Sequence, residues 1–394
     1  MSDWVKLFVL TILGLATLPT SPHAEILAMM NYETKSAAGL RALRTPVAPM
    51  DRREGLAIID VDPASPNYGN IVQDIPLPNN LVAHHVFINN GVTKAYVTAL
   101  GQSVLHVIDL RQQPYVLRPI ETPGCMVQED VVFSRDDRTW YLTCMGTQNV
   151  VVGDGVADRA LRSIAVKEPY PHGIAIHEGI DRMLVSSTVR PSDMGDQGDA
   201  VSVVELSTGR QLNSVRVSNK AAPGREAPVE ILFVPNSNPP AAYVTNLAGG
   251  SLWLLTWDPA RKDFTATQAF DFTKLKAGIP LEMYFNRAGD RFYVTTANPG
   301  HLHIFDLGAG LAAPRLQKSI VAAGGAHHVS ITADERLAFV QNALLNLPGM
   351  SDGSITVIDL VKGERIGSVD TLKNTGFNPN SMVLLPKWYH AMGH

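Results

Sequence analysis

The sequence predicts an all-β fold, a seven-bladed β-propeller of four-stranded blades closed by mixing N- and C-terminal strands. Three observations carry that prediction. The 394 residues are 45% apolar and include 31 Gly and 26 Pro, a composition of many short strands joined by turns. One unit recurs along the chain at intervals of 43 to 58 residues, periods that suit four-stranded blades. The two ends of the chain carry complementary fragments of one further unit.

At the N-terminus, one Lys and an apolar stretch from Leu7 to Leu18 precede a Pro-Thr-Ser-Pro-His-Ala segment. This reads as a signal peptide over residues 1–24, followed by a single propeller domain over 25–394 and a periplasmic or secreted location. The apolar run is shorter than the ~20 residues a membrane span needs, and no later segment is a candidate, so no membrane span is expected in the mature protein.

Each repeat begins with a short apolar strand, crosses a polar turn and enters a second strand of the Tyr-Val-Thr kind. The copies are Tyr96-Val97-Thr98, Tyr141-Leu142-Thr143, Leu184-Val185-Ser186, Tyr243-Val244-Thr245-Asn246, Tyr293-Val294-Thr295 and Phe339-Val340-Gln341-Asn342. Third strands end at Ile108-Asp109-Leu110, Val204-Glu205-Leu206, Phe305-Asp306-Leu307 and Ile358-Asp359-Leu360. Alternating β-branched and polar residues bounded by Gly, Asp and Asn favour strands over helices. Near the C-terminus, Asn380 to Pro386 supplies an inner strand with too little chain after it to finish a blade. Gly55 to Asp62 and Asn70 to Leu77 are outer strands with no inner strand before them. Joining the two ends removes the exposed sheet edges.

These copies resemble the YVTN family of β-propeller repeats over roughly residues 55 to 386. The resemblance implies the fold and almost no specific activity, because propellers host binding modules, scaffolds and enzymes alike. The chain departs from the usual pattern where the first strand should start with Gly; only Gly173 keeps it.

First strands are innermost in a propeller, so their leading residues surround one mouth of the central channel. Aligned copies give one column of His84, Glu129, His172, Glu230, Leu281, His327 and Ser381. A second reads His85, Asp130, Gly173, Ile231, Glu282, His328 and Met382. Imidazole and carboxylate are ligands for Zn, Cu, Fe and Ni, so His84, His85, His172, His327 and His328 are the candidate metal ligands. Glu129, Glu230 and Glu282 are the candidate catalytic carboxylates, able to orient ligands or act as base. Side chains alternate along a strand, so the two columns are expected to point different ways, the first toward the axis. Polar residues lining a watery channel are the plainer alternative. The repetition of Ala-His-His-Val at Ala83–Val86 and Ala326–Val329 argues against it. His106 and His303, at equivalent third-strand positions, read as packed within their blades.

Cys125 and Cys144 are the only cysteines and fall at neighbouring strand ends. An exported protein favours a disulfide between them. Soft metal ligation with Met126 and Met145 is the alternative. Two long second-to-third-strand connections, Pro191 to Ala200 and Leu345 to Gly353, are expected to overhang the mouth, where loops on rigid scaffolds carry binding residues.

The net charge of -4, without a basic stripe, argues against nucleic acid as a partner. There is no Gly-rich phosphate loop, no Gly-x-Ser-x-Gly elbow and no Cys-x-x-Cys-His, so nucleotide chemistry and attached haem are disfavoured. The leading expectation is a periplasmic metalloprotein with an axial transition metal, copper ahead of iron, acting as an oxidoreductase on a small-molecule substrate with a periplasmic redox partner. Seven-bladed propeller enzymes that carry copper or iron on axial His are similar in outline. The alternatives are a non-catalytic propeller that binds a protein, peptide or glycan, and a metal-assisted hydrolase, lactonase or lyase.

Overall fold

The computed structural model describes residues 26–385; the expected signal peptide and the C-terminal Trp388, Tyr389, His390 and His394 lie outside them. It is a seven-bladed β-propeller of four-stranded antiparallel sheets. Six blades run in simple order from an inner strand outward. Their inner strands are Ala83–Ile88, Gln128–Phe133, Pro171–His177, Pro228–Phe233, Gly278–Phe285 and Ala326–Ile331.

The seventh blade joins the two ends of the chain, as expected. Its inner strand is Phe377–Leu384, followed outward by Leu27–Thr34, Glu54–Asp60 and Ile71–Leu77. Sequence analysis did not identify Leu27–Thr34 as a strand. Its Ala, Met and Glu content is poor in the β-branched residues that mark strands. It is a strand because both of its edges are paired, Met30 facing Ala57 on one side and Met382 on the other. The C-terminal inner strand packs against both Ala326–Ile331 and Ala83–Ile88, which closes the ring.

The core sits between blades. Met29, Leu56 and Ile58 of the closing blade pack with Val86, Val97 and Ile108 of the next, and the other interfaces repeat this pattern. The outermost strands are the most exposed; in Leu117–Glu121 only Ile120 is buried, while Arg118, Pro119 and Glu121 are exposed.

Every inner strand except the last is interrupted at the same place. Ladder pairing stops after Ala83, Gln128, Pro171, Pro228, Pro280 and Ala326 and resumes at Val86, Val131, Ile174, Ile231, Met283 and Val329. Two residues thus stand opposite one second-strand residue, a β-bulge that re-aims side chains. The closing blade has its own register shift, between Pro379 and Ser381.

Candidate metal centre

The bulges decide which residues reach the axis, and they correct the sequence reading twice. Adjacent side chains do not diverge. The rings of His84 and His85 stack with centroids 3.9 Å apart, and those of His327 and His328 lie 4.1 Å apart. Both columns therefore face inward.

The columns themselves also shift by one residue in two blades. The backbone N–H of each deeper bulge residue donates to the side chain opposite it. His85 donates to Thr98, Asp130 to Thr143, Gly173 to Ser186, Glu282 to Thr295 and His328 to Gln341. In the remaining blade the donor to Thr245 is Glu230, not Ile231. Glu230 therefore belongs to the second column and Val229 to the first. In the closing blade Asn31 takes the place of the Thr, which puts Asn380 and Ser381, rather than Ser381 and Met382, at the axis.

The second ring is thus His85, Asp130, Gly173, Glu230, Glu282, His328 and Ser381, without a single apolar side chain. The first ring is His84, Glu129, His172, Val229, Leu281, His327 and Asn380. The Thr of the repeat now has a physical role. Besides accepting from its own blade, Thr143 donates to the carbonyl of His172 at 2.6 Å, Ser186 to that of Val229 at 2.5 Å, and Thr245 to that of Leu281 at 2.6 Å. Asn31 reaches the carbonyls of Ala83 and His84 at 2.7 and 2.9 Å. These buried bulges are held by the blade before them, because their unpaired backbone groups would otherwise cost the desolvation of a polar group.

Gly173 is required by closeness. A Cβ there would lie 2.3 Å from the carbonyl oxygen of Val229.

Three sets of side chains among the described residues bring ligand atoms within 4.8 Å of one another: His85, Glu282, His327 and His328; His84, Glu129 and His172; and Asp130, His172 and Glu230. All of these residues are buried. Glu129 Oε2 lies 3.0 Å from His84 Nε2 and 3.5 Å from His172 Nε2, while His172 Nδ1 lies 3.4 Å from Glu230 Oε1. His85 Nδ1 meets Asp130 Oδ1 at 3.0 Å, and His327 Nε2 meets Glu282 Oε1 at 3.3 Å. The Nε2 of His85 is buried without a hydrogen-bond partner.

Burial and crowding work against charge here. Burial, then the neighbouring imidazoles, pushes His85 well below the ordinary histidine range. Burial, then the carboxylates of Glu230 and Glu282, pushes Asp130 well above the carboxylate range, and burial with Glu230 does the same to Glu282. For His172 burial acts downward, but Glu129 and Glu230 outweigh it and the net shift is upward. Neutral imidazole and ionised carboxylate are the forms a metal binds, and a divalent cation reverses the penalty on the carboxylates. The donor set fits such an ion.

Above the first ring lies a cavity of about 110 Å³ lined by His84, Glu129, His172 and His327 and roofed by apolar side chains. Val189, Pro191 and Met194 reach it from one long connection and Leu344 and Leu345 from the other, so both overhang the mouth as expected. The acidic residues of those loops are paired, Asp193 with Arg190 at 2.9 Å and Asp352 with Lys373 at 2.7 Å.

Cys125 and Cys144 form a disulfide, which leaves no thiol for the soft-ligand alternative. Met145 lines the cavity, whereas Met126 is exposed. His303 is packed within its blade on Thr296 and Ser319. Sequence reasoning passed over Tyr284, whose hydroxyl lies 3.5 Å from Glu282 Oε2 and accepts the N–H of Val329. Its position two residues from Glu282, on the same strand face, was the available signal.

No known family profile matches the chain, and no curated protein matches it. Solved structures do. A hypothetical selenium-binding protein from Sulfolobus tokodaii is similar with a TM-score of 0.71 at 15% identity, over 91% of this chain and 93% of that one. A functionally unknown protein from Desulfotomaculum acetoxidans has a TM-score of 0.65 at 17% identity, covering 92% and 99%. A protein described as a 6-phosphogluconolactonase, from Bacteroides fragilis, has a TM-score of 0.58 at 11% identity, covering 93% and 99%. These likenesses show the propeller fold, and a fold shared this widely does not select an activity.

Proposed function

We propose that the protein is an exported metalloprotein that holds a redox-active transition metal, copper first and iron second, on the propeller axis and oxidises a small molecule. The observation that carries this reading is the buried convergence of His85, His327, His328 and Glu282 within 4.8 Å. Three imidazoles and a carboxylate suit copper, which also binds such donors most tightly among the divalent first-row ions. A neighbour in fold is described as selenium-binding, and selenium, like sulfur, is a soft donor of the kind that goes with copper.

The bound metal would supply electron transfer and an open coordination position for O₂ or substrate. The chain's own residues do the rest. His327 belongs to the His-rich set and also lines the cavity, so a substrate in that cavity stands beside the metal-binding set. The apolar roof narrows the mouth, and a cavity of about 110 Å³ suits a small substrate, since a cavity of ~150 Å³ holds one benzene. The Glu129 carboxylate, between His84 and His172, is placed to take a proton at the cavity floor.

Export is supported by the N-terminal sequence and by the disulfide, which persists in oxidising compartments. Cleavage after Ala24 would leave the strand Leu27–Thr34 intact.

The test is elemental analysis of protein exported to the periplasm and purified without chelators or a His tag, beside a His327→Ala, His328→Ala variant. About one equivalent of copper is expected in the parent and none in the folded variant. A parent that takes up neither copper nor iron on reconstitution, or a variant that keeps copper, removes the reading.

A further inference from the structure

The His-rich ligand set shares no residue with either of the other two, which overlap at His172. His85, Glu282, His327 and His328 form it; Asp130, His172 and Glu230 form one of the others. The first is three imidazoles and one carboxylate, the second two carboxylates and one imidazole. Ligand type sorts divalent metals, with carboxylate oxygen favouring the harder ions and imidazole the borderline ones.

The second set is built by the ring geometry. Gly173 is the one position of the second ring without a side chain, and it falls between Asp130 and Glu230. Those two carboxyls consequently face each other across the gap, with ligand atoms within 4.8 Å. His172, next to Gly173 in the same bulge, turns its Nδ1 toward them, 3.4 Å from Glu230 Oε1; that nitrogen is buried and has no hydrogen-bond partner. Its other nitrogen faces Glu129 at 3.5 Å. A metal-bound imidazole regularly gives its second N–H to a carboxylate, which fixes tautomer and orientation. Glu129 is in place to do that for His172, just as Asp130 Oδ1, 3.0 Å from His85 Nδ1, is for His85.

We propose that the axis is a two-cation centre, in which Asp130, Glu230 and His172 bind a hard to borderline divalent cation, Mn²⁺ or Fe²⁺, beside the His85, His327, His328 and Glu282 site. The second cation stands on its own residues and does not depend on the redox reading of the first. Through Asp130 it touches His85, so loading one site alters the ligand field of the other.

The experiment uses the full mature chain, stripped with EDTA and titrated with Mn²⁺ alone, free Mn²⁺ being read by electron paramagnetic resonance. One equivalent is expected to bind to the parent and to the His327→Ala, His328→Ala variant. Glu230→Gln is expected to weaken binding at least ~10-fold. If Glu230→Gln does not fold by circular dichroism, Asp130→Asn reads the same site. The proposal is overturned if the parent binds no Mn²⁺, if Glu230→Gln binds it as the parent does, or if the histidine variant loses it too, which would mean one pooled site. Copper loading of the same proteins reads the first site separately, so failure of either claim is visible without the other.

Discussion

The hydroxyl of Thr143 donates to the backbone carbonyl of His172, one blade onward, at 2.6 Å, while accepting the backbone N–H of Asp130 at 2.9 Å. One side chain thus fixes the bulges of two neighbouring blades, and both bulges carry candidate ligands.

Thr143→Val keeps the shape and removes both hydrogen bonds. It is expected to cost ~1–3 kcal/mol, because two buried backbone groups lose their partner. Thr143→Ser should recover most of that, since Ser186 performs the same task one blade on. Urea unfolding of the three proteins measures the difference, and a valine variant as stable as the parent would refute the bridging role.

Gly173→Ala places a methyl 2.3 Å from the Val229 carbonyl oxygen, where the obstacle is backbone that cannot step aside. A loss of ~1–3 kcal/mol or more is expected from the forced separation of blades. Thermal unfolding monitored by circular dichroism should show a clear fall in midpoint.

The disulfide closes a loop with a sequence separation of 19. Replacing both cysteines by Ser is expected to destabilise the protein by ~3 kcal/mol through the freer unfolded chain. Metal content of the folded variant should match that of the parent, because neither sulfur belongs to a ligand set. Denaturant midpoints and elemental analysis test the two halves of this statement.

Burial, and after it the nearby His301, pushes His303 down to about 3 from 6.5. Between those values the unfolded chain binds a proton that the folded chain refuses, so stability rises with pH across that window and is lost as pH falls through it. At ~1.4 kcal/mol per unit the effect amounts to several kcal/mol at most. The drop in urea midpoint from pH 7 to pH 4 should be smaller for His303→Gln than for the parent. Equal drops would show that His303 is not responsible.

The fold was legible because the Tyr-Val-Thr strand is a packing and hydrogen-bonding unit repeated in six of the seven blades. The identity of the axial residues was legible too, but not their alignment or direction. Alternation is the rule for a regular strand, and a bulge suspends it; the rule therefore failed at the site and held elsewhere. The misplacement of Glu230 arose in the blade whose first turn is longer, so that Glu230 lies 15 residues before its Thr instead of 13. The apolar triplet after each bulge was the better anchor. Val131-Val132-Phe133, Ile231-Leu232-Phe233 and Met283-Tyr284-Phe285 align Asp130, Glu230 and Glu282 directly. No repeat signal marked Leu27–Thr34, because that strand copies none of the motif except the job of its Asn31.

Synthesis runs from the first residue to the last, yet Leu27–Thr34 and Phe377–Leu384 are immediate neighbours in one sheet. Until the final strand emerges, the strand of Asn31 is paired on one edge only, and Ser381 is not there to receive the N–H of Val86. The ring of ligands is therefore assembled at the end of the chain's manufacture, whatever the order in which individual blades form. A ribosome that stops short of Phe377 releases six blades around an unsealed axis. The proposed axial cation would then report that the ring has been closed by Phe377–Leu384.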